Sequence, residues 1–433
     1  MDDAVQSISY IKTELIPGMV ERQELTIDGA HDNDGAAVRL ESVEAWPLQA
    51  DGTFMLTNLF KAKVVFSNRN SPDVRQEHRL VIKITPAVTE EIYISCQFDT
   101  LFENEALAYT DIIPALGKSE LYPKYFYSHR KPFNAVMVLS DFSVDGWKMA
   151  PMVVNLPLEY CLLAAQELGR FHGECYALKE QKRDLFENII NKFKESRYGA
   201  DMQSLKWMEV MRTVPKRLVK AVRESIFKDL IPEEYLQKLV LALDDMWNKL
   251  KLAVQPKEPL AVICHGDFLR NNMAFKYCDK TNPDKPTHVM MFDFQTLRYA
   301  SPMIDFAVFI AVSTGYDVRK KHFETIFRTY HDKLVETLCC VTQTNPVDLP
   351  KHYSYESFQR EFATYYTYGF KIASSFLMIL YEPVDNVMAM ESMTVEETIA
   401  DSMRRGGPAL DRELVAMVYE MYKMHTRYNM DPE

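Results

Sequence analysis

Two acidic residues, each following an apolar run, could carry out chemistry in this chain. Asp267 comes after His265 and Gly266 at the end of one run, and Asn272 follows it by five residues. Asp293 ends a second apolar run. A carboxylate can accept the proton of an attacking hydroxyl, and amide and carboxylate oxygens are hard ligands for magnesium. The spacing therefore predicts phosphoryl transfer from ATP, with Asp267 as the base and Asn272 and Asp293 on Mg²⁺.

Two further residues near these motifs are expected to brace the site rather than to react. We interpret His265 as a structural residue that holds the catalytic loop. Asp305 is expected to open a helix or to hold the same loop through backbone amides. Because Asp293 lies 26 positions after Asp267, we expect a hairpin that returns the second apolar strand beside the first. Each motif alone arises by chance, but their combination after two apolar runs indicates an active site.

A lysine within an apolar, β-branched run is the candidate phosphate ligand. Lys83 and Val81 lie two residues apart, so they share one face of a strand. Val81 is expected to contact adenine, and Lys83 to reach the α- and β-phosphates of ATP. Glu105, on the helix predicted next, is the expected partner of Lys83, and Glu103 is its nearest competitor. The alternative interpretation of Lys83 is an ordinary surface lysine.

The segment that should cover the phosphates contains only one glycine. Gly52 and Thr53 lie between the first two predicted strands, and no G-x-G-x-x-G motif is present. Both are predicted to contact phosphate through their backbone amides or the threonine hydroxyl. The connection between the two halves of the chain is predicted near Leu139 and Asp141, where the backbone could pair with adenine.

The elements that must position these residues fall into two parts. Hydrophobic periodicity predicts a short helix at 4–16 that ends at Pro17. Residues 37–95 contain short runs of β-branched and aromatic residues separated by turns, which is typical of an antiparallel sheet. One helix follows, and beyond Trp147 the pattern is mostly helical. The predicted fold class is α+β, with a small lobe at 1–140 made of an antiparallel sheet plus one helix, and a large helical lobe at 141–433.

The composition of the whole chain excludes some classes of function. The 433 residues carry a formal net charge of −11, which argues against nucleic acid as a partner. No apolar run approaches the length of a membrane helix, and the first residues contain no secretory signal, so the cytoplasm is the expected location. The seven cysteines form no C-x-x-C pair and are expected to be buried free thiols. The sequence indicates no oligomeric state.

Once these residues are identified, the chain resembles the ecdysteroid kinase-like family of insects, within the broader choline kinase and aminoglycoside phosphotransferase group. The resemblance covers about residues 35–415. It is carried by the segments FENEALAY (102–109), VMVLSDFSVDGW (136–147), HGDFLRNNMAFKY (265–277), VMMFDFQTLRYASPMIDFAVF (289–309) and RRGGPALD (404–411). No activation segment ending in A-P-E is present, which argues against a protein substrate.

The resemblance implies a bilobal, protein-kinase-like fold that uses ATP and Mg²⁺. It also implies a hydroxylated small molecule as acceptor, either an ecdysteroid or a lipophilic plant or xenobiotic metabolite. The departures from the family pattern are the sparse glycine segment, Ser140-Asp141 in place of an acidic pair, and Phe268-Leu269 in place of Leu-Trp. Two alternatives stay open: a degenerate kinase that binds nucleotide or ligand without turnover, and a choline- or aminoglycoside-type kinase with a cationic acceptor.

Overall fold

The computed structural model of the chain describes most of its residues in two compact units. The described residues are 2–25, 38–48, 56–68, 71–131, 133–199, 205–282, 284–383 and 393–432. By contacts between residues, the first unit runs to Trp147 and the second begins at Lys148. Gly52 and Thr53 lie outside the described residues.

The first unit contains a five-stranded antiparallel sheet with the order β1-β2-β3-β5-β4. Its strands are β1 (Val38–Pro47), β2 (Asn58–Asn68), β3 (Ser71–Ile84), β4 (Tyr125–Lys131) and β5 (Asn134–Ser140). Along β3 the side chains alternate. Leu80, Ile82 and Ile84 enter the hydrophobic core of this unit, so Val81 and Lys83 lie on the other face of the sheet.

The helices of the first unit differ from the predicted ones in two respects. Their bounds are α1 (Asp2–Tyr10), a π-helical turn (Ile11–Leu15), α2 (Ile16–Glu21), α3 (Glu90–Ser95), α4 (Phe98–Leu107), a second π-helical turn (Ala108–Ile112) and α5 (Ile113–Leu116). The predicted stop at Pro17 is wrong, because Pro17 lies in the first turn of α2, where a missing N–H is tolerated. The sheet is also accompanied by the additional short helix α3, which Thr89 caps.

The second unit is mostly helical. Its helices are α6 (Leu158–Gln181), α7 (Arg183–Ile190), α8 (Leu205–Thr213), α9 (Arg217–Arg223), α10 (Glu233–Asp244), α11 (Met246–Ala253), α12 (Met303–Val308), a π-helical turn (Phe309–Ser313), α13 (Tyr316–Thr342), α14 (Tyr355–Tyr381), α15 (Val395–Arg404) and α16 (Gly407–Tyr428). Buried aromatic and aliphatic side chains from α6, α12, α13 and α14 form its core.

Short strands in the second unit frame the predicted catalytic loop, residues 265–272, and their pairing corrects one prediction. The strands are β6 (Lys148–Met149), β7 (Val262–Cys264), β8 (Met273–Lys276), β9 (His288–Met291) and β10 (Arg298–Ala300). β9 does not return beside β7 as predicted; it pairs with β8, while β10 pairs with β7. The reason is that the chain turns at 270–272 and forms its own hairpin before it reaches Asp293.

The fold has the predicted α+β class, with an antiparallel sheet in the first unit and a mostly helical second unit. Within the described part of the chain, no helix combines the length and the apolar character needed to cross a bilayer. All seven cysteines are free thiols. Burial was predicted for them in general, but Cys278 and Cys340 are exposed and Cys96 is half-buried.

Candidate active site

The catalytic loop begins where β7 ends, and a glycine at its second position is required by the backbone. Gly266 has a φ of +82°, which side-chain-bearing residues rarely adopt. A Cβ atom placed on Gly266 would lie 1.8 Å from the carbonyl oxygen of Thr296. The loop therefore approaches the segment after Asp293 closely enough that only glycine fits.

The carboxylate of Asp305 holds this loop through backbone N–H groups of the loop. The carboxylate accepts hydrogen bonds of 2.7 Å from the N–H of His265 and of 2.7 Å from the N–H of Gly266. Asp305 is fully buried in α12. The structure thus places Asp305 in the bracing position that the sequence suggested, at the two residues that precede Asp267.

The ring of His265 is occupied by structural hydrogen bonds on both sides. Nε2 lies 2.9 Å from the carbonyl oxygen of Phe292, and the N–H of Asp267 donates to Nδ1 at 3.3 Å. A carbonyl oxygen only accepts, so Nε2 carries the proton and Nδ1 accepts, which is the neutral tautomer. His265 therefore connects the two catalytic segments and has no ring nitrogen left for proton transfer.

A second histidine, which the sequence did not single out, supports Asp305. His172 on α6 contacts Asp305 Oδ2 at 3.1 Å and the hydroxyl of Tyr330 at 2.9 Å. His172, Cys264 and Asp305 place potential ligand atoms within 4.8 Å of one another. However, burial raises the pKa of the Cys264 thiol well above its usual range, and Asp305 already accepts from two amides. The cluster is a scaffold, and a lone histidine in an apolar helix gave no signal of it.

The carboxylate of Asp267 is contacted from two directions. Asn272 Nδ2 donates to the backbone oxygen of Asp267 at 2.8 Å and lies 3.2 Å from its Oδ2. On the other side, the guanidinium of Arg197 lies 3.0 Å from Oδ1. Since Asn272 uses its amide nitrogen toward Asp267, its amide oxygen is the atom available to a cation. Arg197 was missed because it lies about 70 residues earlier in a segment without a recognised motif.

Asp293 is brought next to Asn272 by the pairing of β8 with β9. Met273 is opposite Met291, and the N–H of Phe292 donates to the carbonyl oxygen of Asn272 at 3.1 Å. Asp293 itself has a φ of +67°. This backbone conformation is uncommon for a residue other than glycine, and such residues are often found at functional sites. A neutral amide oxygen beside a carboxylate is the type of oxygen donor set that Mg²⁺ takes. The residues present therefore fit this ion.

In the first unit, Lys83 and Glu105 form a buried ion pair. Lys83 Nζ donates to Glu105 Oε2 at 2.5 Å, and the two side chains are only 10% and 2% exposed. Glu103, the competitor considered from sequence, forms an ion pair with Arg130 instead. The structure thus joins the two residues that were expected to position the phosphates.

The residues predicted to contact adenine lie on the same sheet. Val81 is opposite Leu139 in the pairing of β3 with β5. Asp141 follows β5, and its N–H already donates to the carbonyl oxygen of Arg79 at 2.9 Å, so this donor is not available to adenine. Its carboxylate forms an ion pair with Lys61 at 2.9 Å and accepts from the N–H of Ser143.

Comparison with known proteins identifies a matching family. The model of the ecdysteroid kinase-like family matches residues 51–342, a range that contains all the candidate site residues above and more than half of the chain. A search of the curated proteins found no match.

Among solved structures, similar chains include phosphotransferases. One is the aminoglycoside phosphotransferase APH(2'')-IIa in a ternary complex with streptomycin and ATP, at 13% identity, covering 87% of this chain and 99% of that chain with a TM-score of 0.32. Another is APH(3'')-Id from Streptomyces rimosus in complex with ADP and streptomycin, at 16% identity, 66% and 91% coverage, and a TM-score of 0.31. A putative fructosamine-3-kinase from Haemophilus somnus shows 12% identity, 85% and 92% coverage, and a TM-score of 0.30.

Proposed function

Because this chain belongs to the ecdysteroid kinase-like family, we propose that it transfers the γ-phosphoryl group of ATP to a hydroxyl of a small lipophilic molecule. The acceptor class is an ecdysteroid or a hydroxylated plant or xenobiotic metabolite, as the sequence resemblance implied. We place the reaction in the cytoplasm.

The proposed transfer step uses Asp267 as the base. The acceptor oxygen forms a bond to the γ-phosphorus as its proton moves to the Asp267 carboxylate, and the bond from the γ-phosphorus to the bridging oxygen breaks to release ADP. Asn272 and Asp293 would hold Mg²⁺, which supplies positive charge to the phosphates. In the first unit, Lys83, held by Glu105, is proposed to contact the α- and β-phosphates.

One observation supports this proposal above the others. Hydrogen bonds from buried groups fix the loop around Asp267: the backbone N–H groups of His265 and Gly266 end on Asp305, and the His265 ring joins the loop to Phe292. Asp267 itself stays partly open to solvent, with 15% of its side chain exposed. A rigid loop that presents one accessible carboxylate is what a positioned base requires.

A second candidate is a nucleotide- or ligand-binding protein without turnover. The observation that favours it is that the segment expected to cover the phosphates contains one glycine, Gly52. Protein kinases cover the phosphates with a loop that contains three. A choline- or aminoglycoside-type kinase with a cationic acceptor is a third candidate, which the acidic net charge of the chain permits.

The test is to incubate the protein with ATP, Mg²⁺ and a mixed panel of ecdysteroids, hydroxylated plant compounds, choline and an aminoglycoside. Mass spectrometry then reports which compound gains the mass of one phosphate, with EDTA as the control. We expect a neutral lipophilic alcohol to be phosphorylated only when Mg²⁺ is present. Selective phosphorylation of choline or the aminoglycoside would favour the third candidate, and nucleotide binding without any product would favour the second.

A further inference from the structure

The segment 195–198 brings a cation to the catalytic aspartate. This segment follows α7 and lies far from the catalytic loop in sequence. Its Arg197 guanidinium lies 3.0 Å from Asp267 Oδ1, and one third of the Arg197 side chain (33%) is exposed. The cation is therefore in contact with the proposed base and also in reach of solvent.

Glu195 shapes this segment into a tight turn. Its Oε1 accepts hydrogen bonds from the N–H of Arg197 at 2.7 Å and from the N–H of Tyr198 at 3.0 Å. One carboxylate thus fixes the backbone on both sides of the Arg197 Cα atom. The direction in which the arginine side chain leaves the turn follows from this restraint.

Arg298 anchors Glu195 to the core of the second unit. The Arg298 guanidinium donates to Glu195 Oε1 at 3.0 Å and to Oε2 at 3.2 Å, and it also donates to the Tyr368 hydroxyl at 3.3 Å. Burial favours the neutral form of Glu195, but the charge of Arg298 together with the hydrogen bonds from Arg298 and from the two backbone N–H groups outweighs it, so the pKa of Glu195 lies below its usual range. Arg298 is buried and lies opposite Cys264 in the pairing of β10 with β7.

These contacts form a closed chain around the catalytic loop. It runs from Cys264, next to the loop, across the strand pair to Arg298, then to Glu195, to Arg197, and back to Asp267. Through these contacts, the position of the buried strand β10 restrains the position of Asp267 Oδ1. It also assigns a role to Arg298, which the sequence identified only as part of a family-specific segment.

The arginines of the second unit differ in exposure, and this difference indicates different roles. Arg298 and Arg319 are both buried in the second unit. The Arg298 guanidinium donates to Glu195 and Tyr368, and that of Arg319 donates to Glu413, Glu420 and the carbonyl oxygen of Thr314, as expected of scaffold arginines. Arg197 is half-buried and contacts a carboxylate that is itself partly open. Next to it, the buried hydroxyl of Ser196 has no hydrogen-bond partner among the described residues.

We propose that Arg197 is a positioning residue for the phosphoryl-transfer step and that the Glu195–Arg298 pair holds it in place. This inference rests on the proposed function. Arg197 fixes Asp267 at Oδ1 while Asn272 contacts the other oxygen, so the carboxylate is oriented from both sides. The effect should therefore fall on turnover once substrates are bound, not on the affinity for ATP.

The test compares Arg197→Met and Arg197→Lys with the wild-type protein, using ATP, Mg²⁺ and the compound phosphorylated fastest in the panel above. Arg197→Met should lower kcat by roughly 10- to 100-fold, because small losses of alignment cost this much. The KM for ATP should stay within about twofold of the wild type. Arg197→Lys should recover part of the loss, since lysine restores the charge but not the planar guanidinium. Arg212→Met, which removes an exposed arginine paired with Glu209, is the control and should leave kcat unchanged.

A double variant tests whether Glu195 acts through Arg197. Glu195→Gln alone should lower kcat, and the pair Glu195→Gln with Arg197→Met should be no slower than Arg197→Met alone, because residues in one chain of contacts are not additive. If the wild-type protein turns over, two results would overturn the inference and leave the proposed function intact. One is an unchanged kcat in Arg197→Met, and the other is additive losses in the double variant. A wild-type protein that phosphorylates nothing in the panel would overturn both.

Discussion

The catalytic loop at residues 265–272 is held mainly by backbone groups, whereas the Lys83–Glu105 pair in the first unit is held by two opposite charges. In the loop, the N–H groups of His265 and Gly266 donate hydrogen bonds to the buried carboxylate of Asp305. The Lys83–Glu105 contact instead joins a strand to a helix through side chains. The first arrangement fixes where a backbone runs, and the second fixes where a charge lies.

This difference shows how each of the two arrangements can fail. A loop fixed through its backbone tolerates little change in its backbone conformation, because a shift moves Asp267 and Asn272 together. A buried ion pair is sensitive to the loss of one partner, which is costly, but much less so to the loss of both. Substitutions chosen for each region should therefore give different patterns.

The largest effect is expected from Gly266→Ala. The added methyl group would meet the Thr296 carbonyl oxygen at 1.8 Å in a backbone conformation that alanine avoids, so we expect a loss of roughly 4 kcal/mol in the free energy of unfolding. Gly117→Ala is the matched control, because Gly117 also has a positive φ (+68°) but open space around its Cβ position. It should cost only about 1 kcal/mol. Urea unfolding of both variants measures the difference, and equal losses would contradict the close approach.

The next largest effect is expected from Lys83→Met. Removing one partner of a buried pair should cost roughly 3 kcal/mol, because the Glu105 carboxylate keeps its burial and loses this cation. The double variant Lys83→Met with Glu105→Gln should recover most of that stability and still lack activity, since Lys83 is the proposed phosphate ligand. Thermal unfolding and ATP turnover, measured on the same samples, separate the two effects. A double variant with wild-type turnover would remove Lys83 from the site.

A smaller effect is expected from Asp305→Asn. The two carboxylate oxygens of Asp305 accept from different backbone amides, so an amide group in their place must turn an N–H toward one of these donors. We expect a loss of roughly 2 kcal/mol in unfolding free energy and a lower kcat. Asp279→Asn is the control, because Asp279 accepts from Thr281 and Asn282 through one oxygen only, which asparagine retains. Similar stability losses in the two variants would contradict the bracing role of Asp305.

The contact of Lys83 with Glu105 and the support of the loop by Asp305 were predictable from the sequence, whereas the contacts around Asp267 were not. Asp267, Asn272 and Asp293 follow apolar runs, and the Lys83–Glu105 pairing follows from strand periodicity and the helix after it. These signals are local, because the chemistry needs particular residue types near the ends of particular elements. The α+β class follows in the same way from the change in hydrophobic period along the chain.

What the sequence could not predict depends on contacts between distant segments. Arg197, in the segment after α7, contacts Asp267, and His172, on α6, contacts Asp305, which holds the loop. Neither position has a local pattern. The pairing of β9 with β8 was missed because a loop length alone does not select a partner strand. Pro17 was interpreted as a stop, although the same residue fits the first turn of a helix.

The most direct test of the central claim is the turnover of Asp267→Asn. Asparagine has nearly the same shape, so Arg197 and Asn272 keep a group to contact, but the amide cannot accept the proton of the acceptor hydroxyl. With ATP, Mg²⁺ and the acceptor found in the panel, we predict that kcat falls by roughly 10²- to 10⁴-fold while the midpoint of thermal unfolding and the affinity for ATP stay near the wild-type values. A variant that keeps more than about a tenth of the wild-type kcat would contradict the assignment of Asp267 as the base.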